Sequence, residues 1–226
     1  MPPKNRILQK FSLLENFAHQ LVKTQNSVVR GVLFRGWPVI KVPIKRLGTD
    51  YGGWWMPEEI FGQNEKPVVI SCGLGLDISF DLEMISAGFT VRGVEVESSS
   101  VDYLKAHSLI PGQMQIFVGR VGSKTSDSLS LSDLTKLDPR QSKQTRYILK
   151  MDIEGAEMEV LPELIDLREK FPIVVFELDF MSLIPFTSLA LRRHRIRLVR
   201  VLFRVLRSAG YQPFMVENWN VHLIRL

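Results

Sequence analysis

Three short segments hold the residues whose types and spacing could do chemistry. In residues 68–77, VVISCGLGLD, an apolar β-rich run passes directly into Gly73-Leu74-Gly75. Two glycines there let the chain turn sharply and bring backbone close to a ligand. The dinucleotide fingerprint GxGxxG would need a small residue at position 78, and Ile78 is too large, so a nicotinamide or flavin pyrophosphate is disfavoured. The P-loop pattern is missing as well, because GRVGSKT at residues 119–125 is out of register by one residue. Glu95 closes VRGVEV twenty residues beyond Gly75. An acid at that distance in a βαβ unit reaches ribose hydroxyls beside a glycine turn, which points to a nucleoside ligand. The third segment, YILKMDIEGAEMEVL at residues 147–161, carries Asp152 to the carboxyl end of a buried strand, where α/β proteins bind their ligands. Glu154 and Glu157 follow near the start of a helix, where the macrodipole also favours acids for purely structural reasons.

The remaining chemistry-bearing types are less suggestive. His19, His107, His194 and His222 lack metal-ligand spacing, and Cys72, the one cysteine, reads as a small core residue beside the glycine turn. Glu177 and Asp179 end a further strand, and several facing carboxylates could hold a divalent cation. Trp54 and Trp55 suit either a substrate mouth or buried anchoring.

Positioning these residues requires an alternation of strands and helices, and the pattern supplies one. Strands are predicted at residues 67–72, 90–96, 113–121, 146–151 and 172–176, with helices at 77–87, 99–107, 156–170 and 189–209. Residues 122–132, with five serines, read as a loop, and 211–216 and 221–226 as a strand pair able to form a hairpin. Such alternation predicts a mainly parallel sheet covered on both faces, here an α/β, Rossmann-like, seven-stranded architecture with a C-terminal antiparallel pair. Residues 1–60 fit less well: 6–22 has a helical pattern, 28–42 looks extended and YGGWWMP at 51–57 looks like an aromatic turn. They read as a basic N-terminal extension packing on a main domain at 61–226.

SCGLGLDISFDLE, VRGVEVE and above all LKMDIEGAEMEVL resemble the FkbM-type methyltransferases, with LSLSDL, VVFELDF and YGGWWMP as supporting pieces. The resemblance runs from about residue 48 to 226. It implies a class I methyltransferase fold and S-adenosylmethionine as cofactor, with Gly73, Leu74, Gly75 and Asp77 around its methionine part, Glu95 on its ribose and Val96 beside its adenine. It implies methyl transfer to a hydroxyl of a small molecule, sugar or glycan. A hydroxyl nucleophile benefits from a base within hydrogen-bond reach, and Asp152 is the first candidate, with Glu154, Glu177 and Asp179 behind it. Two departures stand out: Glu-Val where an acid and proline are commoner after the second strand, and FELDF where many members have an acid followed by histidine.

Composition bounds the remaining choices. A chain of 226 residues, 45 % hydrophobic and 23 % charged, suits one large domain or one domain with an appendage, and its single cysteine excludes an internal disulfide framework, which suggests a cytoplasmic protein. No run is long and apolar enough to span a membrane, and residues 1–10 lack the apolar core of a signal peptide. Charge is unevenly placed: residues 1–46 carry nine Lys/Arg against Glu15, and residues 192–207 carry seven Arg and no acid. Arg193, Arg197, Arg200, Arg204 and Arg207 fall within about an 80° arc of one helix, with Leu198, Leu202, Val205 and Leu206 expected on the opposite, buried side. The basic segments suit an anionic membrane surface or an acidic glycan, and a solvated face explains them equally. A silent Rossmann-like module held to membrane or polyanion is the competing reading. Nucleic-acid methylation is disfavoured, because Ile153, Glu154 and Gly155 stand where base-methylating enzymes carry Pro-Pro-aromatic.

Overall fold

The computed structural model of the chain describes residues 31, 33–112, 114–122, 128–137, 144–178 and 188–226. A two-stranded antiparallel ribbon, β1 (Ile44–Leu47) and β2 (Trp54–Pro57), precedes a seven-stranded sheet. The first strands of that sheet, β3 (Val68–Cys72) and β4 (Val91–Glu95), are buried along their whole length, as expected of β-rich runs covered on both faces. With β5 (Gln115–Val118), β8 (Tyr147–Met151) and β9 (Ile173–Glu177) they form its parallel part. Strands β10 (Tyr211–Glu217) and β11 (Asn220–Arg225) add the antiparallel pair, giving the order β10-β11-β9-β8-β3-β4-β5. This is the Rossmann-like seven-stranded arrangement read from the sequence.

Side chains alternate across the sheet with the two-residue period of extended chain. Val68, Ile70, Cys72, Leu149 and Met151 face α4 (Glu157–Asp166) and α5 (Leu189–Ser208), whose Val160, Leu164, Val199, Leu202, Phe203 and Leu206 complete one core. Val69, Ile148 and Val175 face a second core made with α1 (Ser79–Ser86), α2 (Ser98–Ala106) and the ribbon's Trp54 and Met56. The residues before the ribbon dock on the far edge: Trp37 Nε1 donates to the Tyr211 carbonyl (3.1 Å), Ile40 N donates to the Pro213 carbonyl (2.8 Å), and Phe34 and Trp37 pack on Phe203.

Several expectations need correction. The described part of 28–42 holds no strand; Leu33 is helical, and among the described residues β structure begins at Ile44. In YGGWWMP only the first residues turn, while Trp54 and Trp55 belong to β2. Residues 122–132 are not simply loop: β7 (Ser128–Leu129) pairs in parallel with β6 (Arg120–Val121), and α3 (Leu131–Lys136) follows. Helix α3 starts at a capping box, in which Ser130 Oγ accepts from Asp133 N (3.0 Å) and donates to Asp133 Oδ2 (2.5 Å). Helix α4 ends at Asp166, four residues early, because the chain turns back to seat Phe171 against Tyr147. On α5 the buried side is Val199, Leu202, Phe203 and Leu206, whereas Leu198 and Val205 are exposed. The helical pattern at 6–22 lies outside the described residues.

Candidate functional site

The carboxyl ends of β3 and β8 lie side by side where the sheet order reverses, with β4 and β5 on one side and β9 on the other. Connections leave such a point in opposite directions and open a crevice above the strand ends. Two turns meet there. Gly73 N donates to the Val94 carbonyl (2.8 Å) and Asp152 N to the Cys72 carbonyl (2.9 Å). Gly73 (φ 77°) and Gly75 (φ 56°) both adopt left-handed conformations. A Cβ on Gly73 would overlap the Asp152 carbonyl oxygen, whereas a Cβ on Gly75 would meet nothing within 4 Å. Contact between the two turns therefore demands the first glycine, and the second leaves open space before the backbone.

Glu95 shapes this turn. Its Oε2 accepts from Leu74 N and Gly75 N, both at 2.8 Å, and its Oε1 accepts from Glu97 N at 2.8 Å. Each carboxylate oxygen has two lone pairs, so Oε2 is filled and Oε1 keeps one acceptor position. The residue is only 5 % exposed. Leu74 contributes backbone alone, since its side chain is buried against Gly93. Val96, the next residue after β4, is exposed.

Asp77 is engaged too. Its Oδ1 accepts from Ser79 N (2.9 Å) at the start of α1, and its Oδ2 accepts from Thr49 Oγ1 (2.5 Å). Partial burial works against its charge, but hydrogen bonds from Ser79, Thr49 and Gly52 outweigh it and hold the carboxyl below its ordinary value. Asp77 thereby ties the loop between β1 and β2 to the rim of the glycine turn.

Asp152 is different. Its side chain is 39 % exposed, and its nearest cation is Lys150 Nζ, 3.9 Å from Oδ2. Glu154 follows on the exposed turn in a left-handed conformation (φ 54°), succeeded by Gly155 (φ 96°). Glu157 is buried at the start of α4 and accepts from Ile153 N (3.2 Å), so it braces the turn from beneath.

Lys150 was not singled out by the sequence reading. It is nearly buried, donates to the Gly73 carbonyl, and lies 5.7 Å from the centre of the Trp54 ring. Beside it are Ser71, its neighbour in register, and Asp81 of α1, both buried. Burial pushes the Asp81 carboxyl up, with the Lys150 ammonium and Ser71 opposing. A cation thus sits under both turns. The available signal was a lone lysine inside an apolar strand, two residues before Asp152 and so on the same face of β8.

Other candidates fall away from the centre. Burial pushes the Cys72 thiol up to about 12, which suits a core residue rather than a nucleophile. Trp54 is buried, while Trp55 Nε1 donates to Glu217 Oε2 (3.2 Å). Asp179 lies outside the described residues. Among the described residues, no group of three or more His, Cys, Asp or Glu is arranged to hold a metal ion, and no helix is long and apolar enough to cross a membrane. A cavity of about 980 Å³ opens at the opposite end of the sheet, between Lys66, Arg146 and Arg225, and does not adjoin the two turns.

The model of the methyltransferase FkbM domain matches residues 63–213. No curated protein sequence matches the chain. Among solved structures, a protein assigned as a caffeoyl-CoA O-methyltransferase from Staphylococcus aureus is 10 % identical, with a TM-score of 0.47 over 71 % of this chain and 76 % of that one. The ribosomal protein L11 methylase of Lactobacillus delbrueckii subsp. bulgaricus is 13 % identical, with a TM-score of 0.40 over 73 % of this chain and 72 % of that one.

Proposed function

The chain belongs to the FkbM methyltransferase family, whose reaction is S-adenosylmethionine-dependent methylation, and from that premise we propose that it methylates a hydroxyl group of a small molecule, sugar or glycan. The observation that carries this reading is the meeting of the two turns. They bring a partly exposed carboxylate residue, Asp152, against Gly73, two residues before the open backbone of Gly75, with Lys150 reaching both Gly73 and Asp152.

The residues around the glycine turn fit the cofactor. Gly75 has free space before it, exposed Leu76 and Val96 offer apolar surface for the adenine, and Glu95 Oε1 keeps one acceptor position for a ribose hydroxyl. In this reading Gly73, Leu74 and Gly75 hold the methionine part through backbone, and Asp77 secures the rim. When bound, S-adenosylmethionine supplies a methyl group on a positively charged sulfur, so the leaving group is already activated. The protein's part is then positioning and proton removal. In this reading Asp152 takes the proton of the acceptor hydroxyl on its partly exposed carboxylate, and exposed Glu154 is a second carboxylate on the same turn. A divalent cation is not required by this assignment. The single cysteine supports a cytoplasmic setting.

Titration calorimetry with S-adenosylmethionine and NAD tests the premise. Micromolar binding of the former and much weaker binding of the latter are expected. Tighter binding of NAD would overturn the cofactor assignment.

A further inference from the structure

Helix α5 carries three rows along its length. At 100° per residue, Val199, Leu202, Phe203 and Leu206 form the buried row, and Arg193, Arg197, Arg200 and Arg204 stand in an exposed row about 140° away. Leu191, Leu198, Val201 and Val205 form a third, mainly apolar row, spaced by 7, 3 and 4 residues within about 80° of arc that also holds exposed His194. The four apolar residues are 37–48 % exposed. The outward face of α5 is thus half basic and half apolar, where a solvated helix would be polar throughout.

We propose that this face is a docking surface for an anionic lipid bilayer, with α5 lying in the interfacial plane. An interfacial helix needs apolar side chains to enter the headgroup boundary and cations beside them to meet lipid phosphates. Leu191, Leu198, Val201 and Val205 supply the first, and the arginine row the second. Among the described residues, none of Arg193, Arg197, Arg200 and Arg204 has an acidic partner. Charge also selects the occupant. Residues 1–30 carry five basic residues against Glu15, so their charge opposes their covering the arginine row and favours the same anionic surface. A soluble polyanion would satisfy the arginines but would leave the apolar row in water.

The test is co-sedimentation of the full chain with phosphatidylcholine vesicles, with and without phosphatidylglycerol, at low and high salt. Two triple variants accompany wild type: Arg197→Gln/Arg200→Gln/Arg204→Gln and Leu198→Ser/Val201→Ser/Val205→Ser. All six positions are exposed, and melting temperatures check that both variants fold. Wild type should sediment only with vesicles containing phosphatidylglycerol, and less at high salt. The arginine variant should partition about 100-fold more weakly, at roughly 5-fold for each basic residue near the surface. The apolar variant should lose at least 10-fold at equal charge. Equal sedimentation of wild type and the arginine variant would overturn the proposal. So would an apolar variant that binds like wild type, since that result would reveal a polyanion contact without insertion.

Discussion

Glu95 and Asp152 both close parallel strands of one sheet, one strand apart, yet their surroundings are opposite. Glu95 is buried and accepts three backbone hydrogen bonds, two of them from the glycine turn itself. Asp152 is partly exposed and has one cation at 3.9 Å. The first carboxylate is largely consumed in holding a backbone conformation; the second is held near solvent with acceptor positions open. Two acids with equal claims on paper therefore divide into one that braces the turn and one that keeps contact with solvent. The contrast extends to the turn before α1, where Asp77 is committed to Ser79 and Thr49.

The strongest way to break the contrast is to separate the two turns. Gly73→Ala places a methyl on the Asp152 carbonyl in a left-handed backbone, and should lower stability by more than about 4 kcal/mol or prevent folding. Denaturant unfolding measures this. A variant within about 1 kcal/mol of wild type would show that the turns do not touch as described.

A crossed pair sharpens the comparison. Asp152→Asn should reduce single-turnover methyl transfer about 100-fold or more at saturating cofactor, with little change in affinity for S-adenosylmethionine. Glu95→Ala strips the acceptors from three backbone donors and should weaken cofactor binding about 10–100-fold, with a lower melting temperature. Rates with a turnover-competent hydroxyl acceptor and calorimetric dissociation constants separate the two effects. If the two variants exchanged phenotypes, the division of roles would be wrong.

His222 is a buried ionisable group of another kind, outside the two turns. Burial lowers its pKa from 6.5 to about 3, and its Nε2 accepts from Trp55 N (3.3 Å). Because the folded-state value is depressed, the unfolded chain takes up the proton first as pH falls below 6.5. Stability is therefore fully present above that pH and is lost between there and about pH 3, at about 1.4 kcal/mol per unit. At pH 5 this group alone should remove about 2 kcal/mol, and His222→Gln should flatten the curve between pH 7 and 5. Parallel curves for the two proteins would mean that His222 titrates alike in both states.

Several features of the fold and site were readable because they depend on local pattern. Buried parallel strands are continuous apolar runs, so β3, β4, β8 and β9 emerged within a residue or two at each end. The Gly73 and Gly75 turn, the spacing to Glu95 and the place of Asp152 at a strand end follow from chain distance alone. Helix α3 was missed, although Ser130 followed by Asp133 three residues later is a capping signal, because its serine-rich surroundings resemble loop.

Other features exist only between elements distant in the chain. Nothing in the spacing of Gly73 and Asp152 says that their backbones touch, because that contact depends on the register of β3 against β8. Lys150 acquires its place under both turns only when α1 brings Asp81, and the ribbon brings Trp54, onto the same face of the sheet. The burial of Glu95 and the exposure of Leu198 and Val205 were likewise decided by packing. Helical periodicity fixes how residues share a face, but which arc turns inward is set by the surface the helix meets. Chain-local chemistry thus identified the turn, the acids and the fold class of this protein. Tertiary structure decided the surroundings of each acid, since the groups that reach a carboxylate come from other elements of the fold.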